Sequence, residues 1–259
     1  MKMRTAIVVG ATGLTGSSLV KQLCGNNKYV SVAVIARRKL AFEHPKLEVK
    51  ILSLDTIEES DIGFADELFC CLGTTQKKAG SKEEFEKVDF EYPLRIASLA
   101  KKRGIPHMLV MSAMGVKETS PFYYSRVKGK LENDLIELGL PKLSIIRPSL
   151  LVGNRGEFRL GEKAGELVLK VANPLLLGPL KKFRSIEAAQ VAKAMIVIAL
   201  QEKKEAVMIY ESMALAKMDF TQEEDKFATE EIIINRDKFK NSDLVDKDVH
   251  FKRQKKDDN

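Results

Sequence analysis

The sequence predicts an α/β protein built on a doubly wound parallel sheet, and three observations carry that expectation. A β-branched run at Thr5-Ala6-Ile7-Val8-Val9 ends in glycine and leads into an amphipathic helical pattern. Short apolar runs then alternate with segments whose apolar residues recur every three or four positions. The connections are short. Alternation of this kind closes a parallel sheet through right-handed crossovers and covers both of its faces.

The first junction is the most informative stretch. Gly10-Ala-Thr-Gly13-Leu-Thr-Gly16 follows the first strand and precedes Leu14, Leu19, Val20 and Leu23 at helical spacing. The first glycine permits a tight turn, the second lets backbone N–H groups approach a pyrophosphate, and the third lets the helix pack close to the strand. The free N–H groups and positive end of the helix then hold the anion. The spacing is GxxGxxG rather than GxGxxG. A glycine turn alone is a common structural device; the strand before it and the helix behind it give this one meaning.

The remaining elements follow in order. Tyr29–Ala36 is a second strand, Leu47–Leu52 a third and Leu68–Leu72 a fourth. Phe85, Val88, Tyr92, Ile96 and Leu99 mark a long helix in which Pro93 predicts a kink or a restart. Gly104 stops it. His107–Ser112 is a fifth strand, and Tyr124, Val127, Leu131, Leu135 and Leu138 face one side of the helix that stops at Gly139. Leu143–Arg147 is a sixth strand. Ser185 is expected to N-cap a helix running to Leu200, with Val191, Met195 and Ile198 inward, and Val207–Tyr210 is a last strand.

Composition narrows the class. With 259 residues, 44% hydrophobic and 31% charged, the chain supports one sizeable core. Leu167–Leu180, the longest mainly apolar stretch, is broken by Lys170, Asn173, Pro174 and Pro179, so a membrane span is not expected. Met1-Lys2-Met3-Arg4 leads straight into the first strand, which argues against a signal peptide, and three cysteines without ligand spacing predict no metal and a reducing, cytoplasmic setting. The net charge is +7, yet residues 217–259 carry 10 basic against 12 acidic side chains, which leaves 33 against 24 in residues 1–216. That excess is scattered and the chain has no Trp, so nucleic acid is not the expected partner. Residues 1–216 read as a dinucleotide-binding domain with a small substrate-side lobe at 150–185. Residues 217–259 read as a polar extension, either a flexible tail or an element docking through Ile232-Ile233-Ile234.

Ligands of such sheets bind beyond the carboxyl ends of the strands, where Gly10, Arg37, Asp55, Gly73, Ser112 and Pro148 fall. Arg37-Arg38-Lys39 stands where NAD-binding versions carry an acid for the ribose hydroxyl. Guanidinium groups pair with a 2′-phosphate, so NADP(H) is expected over NAD(H). Asp55 is read either as an acceptor for the adenine amino group or as the cap of a short turn. Tyr124 and Lys128 lie one turn apart on one helix face. An ammonium at ~4 Å contributes up to ~4 kcal/mol at an effective dielectric near 20, and is expected to lower the phenol toward general acid-base range. Ser112 ends the preceding strand and is placed to address the same substrate oxygen. Arg155, Arg159, Lys181, Lys182 and Arg184 surround the substrate-side segment, as solvated loop charges or as attractors of an acidic substrate. The helix pattern Leu160, Ala164, Leu167, Val168 and Val171 either roofs the pocket or forms a subunit contact.

On these residues the chain resembles atypical short-chain dehydrogenase/reductases of Rossmann fold, and more narrowly the Tat-interactive protein family of NADPH-binding oxidoreductase-like proteins. The stretches that carry the resemblance are Gly10–Gly16, Ile35–Leu40, Cys70–Thr75, Lys78–Gly80, Val88-Asp89, Tyr124–Gly129 and Arg147-Pro148, spanning roughly residues 4–215. The resemblance implies that Gly10, Thr12, Gly13, Leu14, Thr15 and Gly16 line the diphosphate, and that Arg37 and Arg38 hold the 2′-phosphate. It implies that Leu72, Gly73 and Thr74 border the adenosine and ribose, and that Pro148 borders the nicotinamide. Ser112 and Tyr124 would address a carbonyl, while Lys128 would hold the nicotinamide ribose and tune Tyr124. Many superfamily enzymes add an asparagine from the helix after the fourth strand, and here that neighbourhood reads Glu86-Lys-Val-Asp-Phe-Glu91. Two functions are therefore expected: reduction of a small carbonyl compound, or NADP(H)-dependent regulation through a protein partner or homodimer.

Overall fold

The structure is a computed structural model that describes residues 3–153, 183–202 and 205–218. Its first half runs β1 (Arg4–Val9), α1 (Leu14–Gly25), β2 (Tyr29–Ala36), β3 (Leu47–Ile51), β4 (Glu67–Cys70), α2 (Gln76–Ala79) and α3 (Lys82–Glu86). A π-helical turn (Lys87–Glu91) leads into α4 (Tyr92–Lys102), β5 (His107–Met111), α5 (Tyr123–Glu137) and β6 (Leu143–Arg147). The short strands β7 (Leu151–Val152) and β8 (Ile186–Glu187), then α6 (Ala188–Leu200), β9 (Val207–Glu211) and α7 (Ser212–Ala216), complete the described residues.

Seven strands form one parallel sheet in the order β3-β2-β1-β4-β5-β6-β9. The order reverses between β1 and β4, which opens a crevice beyond their carboxyl ends. Alternation along each strand divides the core in two. Ala6, Val8, Phe69, Leu109 and Ile146 pack beneath α1 and α6, with Leu19, Leu23, Val191 and Met195. Ile7, Val9, Leu68, Val110 and Ile145 pack beneath α4 and α5, with Ile96, Leu131 and Leu135. Both faces are covered, so the strands read as continuous apolar runs rather than strict alternation. Cys70 and Cys71 follow the same rule: one belongs to each half of the core, so the neighbouring thiols face apart.

The conflict at Pro93 resolves into a change of helical register. The Tyr92 N–H bonds the Lys87 carbonyl, five residues back, and Pro93 then falls in the first turn of α4, where a proline is tolerated. Several boundaries differ from the sequence expectation: β3 ends at Ile51 and β5 at Met111, each one residue early, and β9 runs one residue longer to Glu211. β4 begins at Glu67 and ends at Cys70, because Leu72 already belongs to the turn that approaches Gly10. Ser185 does not cap α6: Ile186 and Glu187 pair with β7, and Glu187 is the N-cap residue, without a side-chain cap bond. The helix pattern at 160–171, Arg155, Arg159, Lys181, Lys182 and the Ile232-Ile233-Ile234 run lie outside the described residues. Among the described residues no helix is long and apolar enough to cross a membrane.

At the amino end of the sheet, Glu67 is buried against Arg4 and His107 bonds the Ser144 hydroxyl at 2.9 Å. Burial lowers the His107 imidazole to about 3, so it serves there as a neutral hydrogen-bonding group at the edge opposite the crevice.

Candidate dinucleotide and active site

The glycine turn is built by close approach. Gly10 has φ +87°, and a Cβ there would lie 2.5 Å from the Cys71 carbonyl carbon and 2.8 Å from the Leu72 nitrogen. A Cβ on Gly16 would lie 2.3 Å from the Gly10 carbonyl oxygen, so only glycine lets α1 seat on the turn. Gly13 is different: a Cβ would meet the Gly10 oxygen at 3.3 Å, tight but not overlapping. It is the N-cap of α1, where no side chain caps the helix and no acidic residue occupies the first turn. The Thr15 hydroxyl is buried with no hydrogen-bond partner among the described residues. Orphan N–H groups, a helix end free of carboxylates and an unpartnered buried hydroxyl together fit a diphosphate.

The other predicted residues lie at or just beyond the carboxyl ends of neighbouring strands in the same parallel sheet. Arg37 and Arg38 are exposed at the end of β2. Leu72, Gly73 and Thr74 follow β4, and the Thr74 N–H donates to Asp89 Oδ2 at 2.7 Å. Ser112 follows β5, its N–H donating to the Ile146 carbonyl at 2.8 Å, while Pro148, buried after β6, accepts from the Met114 N–H at 2.9 Å. Asp55 is exposed and engaged in its own surface network. Tyr92 Oη donates to Asp55 Oδ1 at 2.8 Å, Lys87 Nζ lies 2.6 Å away, and Ser53 Oγ donates to Oδ2 at 3.2 Å. Lys87 and Tyr92 hold its carboxyl below the usual carboxylate range. Of the two readings of Asp55, the structure shows the local one: its carboxylate is engaged by Ser53, Tyr92 and Lys87. The cavity of about 120 Å³ between Thr5, Ser31, Lys50 and Phe64 lies away from these strand ends. It is too small for a nucleotide, whose pockets typically exceed ~300 Å³.

α5 carries three polar side chains at one-turn steps along an otherwise apolar face: Tyr124, Lys128 and Glu132. Tyr124 is 39% exposed and packs its ring on Phe85, with centroids 5.7 Å apart. Lys128 is 2% exposed; its Nζ lies 2.9 Å from Asp89 Oδ1 and donates to the Met111 carbonyl at 3.4 Å. Burial opposes the Lys128 charge, but Asp89 prevails and holds the ammonium above its ordinary value. The expected depression of Tyr124 is overturned. Burial raises its phenol, Lys128 pulls it down and Asp89 pushes it back up, leaving it above the ordinary tyrosine value. Loss of water around the phenol is the largest of the three influences and outweighs the pull of Lys128.

Glu132 is the member that sequence reasoning missed. It is 3% exposed, accepts from Ser112 Oγ, and accepts Arg147 Nε at 3.0 and 3.2 Å on its two oxygens. Arg147 also donates from its terminal nitrogen to Glu132 and reaches Glu211 at 3.0 Å, and these hydrogen bonds raise its already high proton affinity. The network ties the ends of β5, β6 and β9 to α5. Asp89 was missed as a site residue for a similar reason: it sits among helical apolar positions, where a charge signals a partner only once the partner is known. A charged residue repeating the buried phase of a helix was the available signal in both cases. Glu132→Ala is expected to cost about 3 kcal/mol, the low end for breaking a buried pair because Glu211 still meets Arg147. For a chain of this size that is a drop of roughly 6–12 °C in Tm; thermal unfolding within about 2 °C of the parent would show the network to contribute nothing.

A parallel sheet with its glycine turn at the β1 switch point, a Tyr-xxx-Lys helix and a serine at the β5 end defines a dinucleotide-binding protein of atypical short-chain dehydrogenase/reductase type. The chain belongs to the NAD(P)H-binding family, whose model matches residues 10–202. It is 38% identical over 167 residues to the protein HTATIP2 of Rattus norvegicus, covering 62% of this chain and 69% of that one. It is 32% identical over 230 residues to the mitochondrial protein FMP52 of Candida albicans, covering 83% and 97%. Among solved structures, the UDP-N-acetylglucosamine 4-epimerase of Methanobrevibacter ruminantium matches with TM-score 0.61 at 18% identity over 82% of this chain and 77% of that one. MoeE5 in complex with UDP-glucose and NAD matches with TM-score 0.60 at 14% identity over 80% and 76%. At such identities these two likenesses concern the fold.

Proposed function

We propose that this chain is an NADPH-dependent reductase of a small carbonyl compound. The observation that carries the reading is the position of Tyr124 and Lys128 on α5, beside the turn after β4 that packs against Gly10. The glycine turn, Thr15, Leu72, Gly73 and Thr74 would hold the nucleotide, with Arg37 and Arg38 on its 2′-phosphate and Pro148 along the nicotinamide. A bound nicotinamide supplies hydride. Tyr124 holds the proton that the carbonyl oxygen gains, and Lys128 stays charged next to it through Asp89. The Ser112 hydroxyl donates to Glu132 in this structure and would have to turn its proton from Glu132 to the carbonyl oxygen in order to assist. The test is calorimetric titration with NADPH and NADH, followed by NADPH consumption across a carbonyl panel. Tight NADPH binding with turnover on at least one carbonyl is expected; absence of heat with either coenzyme would sink the reading.

Arg37→Gln is expected to weaken NADPH binding about 10- to 100-fold and leave NADH nearly unchanged, since one charge-assisted hydrogen bond contributes ~1.5–3 kcal/mol. Equal losses for both coenzymes would remove Arg37 from the 2′-phosphate. A second reading, a nucleotide-bound regulator that engages a protein partner, is favoured by the commitment of the Ser112 hydroxyl to Glu132. Retained NADPH affinity with no turnover on any carbonyl would select it. The cytoplasmic setting expected from the cysteines is a proposal for cell fractionation to test, given that the FMP52 relatives are named mitochondrial.

A further inference from the structure

Gly129 stands in the middle of α5, a 15-residue helix in whose interior glycine is a poor helix former. Something other than helix formation sets this position. A Cβ there would lie 2.3 Å from the Glu118 nitrogen, 2.4 Å from the Lys117 carbonyl carbon and 2.8 Å from the Lys117 Cα. All three are backbone atoms, so no side chain can move aside, and α5 touches the chain of the preceding loop directly. That loop, residues 113–122, joins the end of β5 to the start of α5. It doubles back along the helix it leads into and meets it at Ser125, Gly129 and Asn133, one residue round from Tyr124, Lys128 and Glu132. The Ser125 hydroxyl donates to the Gly115 carbonyl at 3.4 Å, and Asn133 Nδ2 donates to Glu118 Oε2 at 2.7 Å. Arg126 Nη1 adds bonds to the Ser120 and Pro121 carbonyls at 3.0 and 2.8 Å. Within the loop Val116 is buried, and the Ser120 N–H donates to the Lys117 carbonyl at 3.0 Å. The loop leaves from Ser112, which bonds Glu132 of the same helix, and arrives at the first turn of α5, which holds Tyr124.

We infer that Gly129 is a positioning residue: it seats the loop between Ser112 and Tyr124 against α5 and so fixes the two hydroxyls relative to each other. This rests on the reductase reading and deepens it by adding a residue that acts on the site only through the loop. A side chain at 129 leaves two ways out. Either the loop lifts from the helix, or α5 turns away from the loop and takes Tyr124 with it. Both open the contact and both change the spacing of the two hydroxyls, and a misplacement of ~1 Å costs about 10²-fold in rate. The glycine turn between β1 and α1 is built from other elements, so coenzyme affinity is spared.

The test compares the full chain with Gly129→Ala and Asn133→Ala. Hydrogen exchange across residues 113–122 is followed by mass spectrometry, together with thermal unfolding, NADPH titration and carbonyl-dependent NADPH consumption. In Gly129→Ala the loop amides are expected to exchange about tenfold faster or more, with a lowered Tm, as overpacking of a close contact produces. NADPH affinity is expected to stay close to that of the parent while kcat falls by about 10²-fold. Asn133→Ala removes the bond to Glu118 without adding bulk, and it carries the test if Gly129→Ala does not fold. Exchange around Glu118 is expected to rise roughly three- to tenfold there, the size of one lost hydrogen bond. At a helix position free of such contacts, glycine to alanine stabilises, so an unchanged or raised Tm in Gly129→Ala would overturn the inference. Unchanged loop exchange in either variant would do the same, as would a parent-like kcat or an NADPH affinity lost as fully as kcat in Gly129→Ala. Exchange and Tm are read without coenzyme or turnover. A parent chain that binds no NADPH or reduces no carbonyl therefore removes the reductase reading while the seating of the loop is still decided.

Discussion

Tyr124→Phe is expected to slow carbonyl-dependent NADPH consumption by about 10²- to 10⁴-fold, the contribution of a positioned proton donor. The ring is retained, and with it the packing on Phe85 at 5.7 Å, so folding and coenzyme affinity should stay close to those of the parent. The loss should appear in kcat and kcat/KM together, because the proton is transferred only in the transition state. The pH dependence has a definite sign. The phenol lies above the ordinary tyrosine value, so reduction should be level through neutral pH and decline only as pH rises past the Tyr124 ionisation. Oxidation of the corresponding alcohol should rise over that same alkaline window. Turnover of Tyr124→Phe equal to the parent would remove this residue from the chemistry.

Gly16→Val is expected to abolish dinucleotide binding and to destabilise the chain by about 3 kcal/mol or more, the upper range for overpacking a close contact. The added Cβ would stand 2.3 Å from the Gly10 oxygen and 2.9 Å from its carbonyl carbon, both backbone atoms, so no side chain can move aside. α1 must lift instead, taking Leu19 and Leu23 from the core and displacing the N–H groups of its first turn. Gly13→Ala is the milder comparison, because its Cβ would meet the Gly10 oxygen at 3.3 Å, a tight contact that asks for a shift of only a few tenths of an ångström. Thermal unfolding should be nearly unchanged in Gly13→Ala and lowered by roughly 6 °C or more in Gly16→Val. Equal Tm values for both variants would contradict the account of the turn.

The legible part of this protein was the part governed by short-range periodicity. Tyr29–Ala36 and Leu143–Arg147 fall as strands on the very residues their apolar runs mark, and Gly104 and Gly139 both stand just past helix ends with positive φ. The glycine turn was legible because each glycine answers a local need. What the sequence could not supply was the pairing of side chains far apart in the chain. Asp89 and Lys128 are 39 residues apart, Ser112 and Glu132 are 20 apart, and Arg147 joins Glu132 from another strand. From spacing alone Lys128 reads as an unopposed cation beside Tyr124; its pull on the phenol has the expected sign, but burial, which spacing does not show, outweighs it. Ser185 misled for a related reason: its capping preference is local, whereas the β7–β8 pairing that displaces the helix start to Ala188 is not.

The stripe on α5 has a mechanical consequence. A helix advances about 5.4 Å per turn, so the phenol, ammonium and carboxylate are graduations on one stiff rod spanning two turns. Each graduation is clamped by a different part of the frame: an aromatic ring, the π-helical turn ahead of α4, and the tips of the fifth and sixth strands. Sliding or rolling that rod would misalign all three together, so the chain keeps its reactive groups in step by bracing a single element rather than by adjusting each one separately.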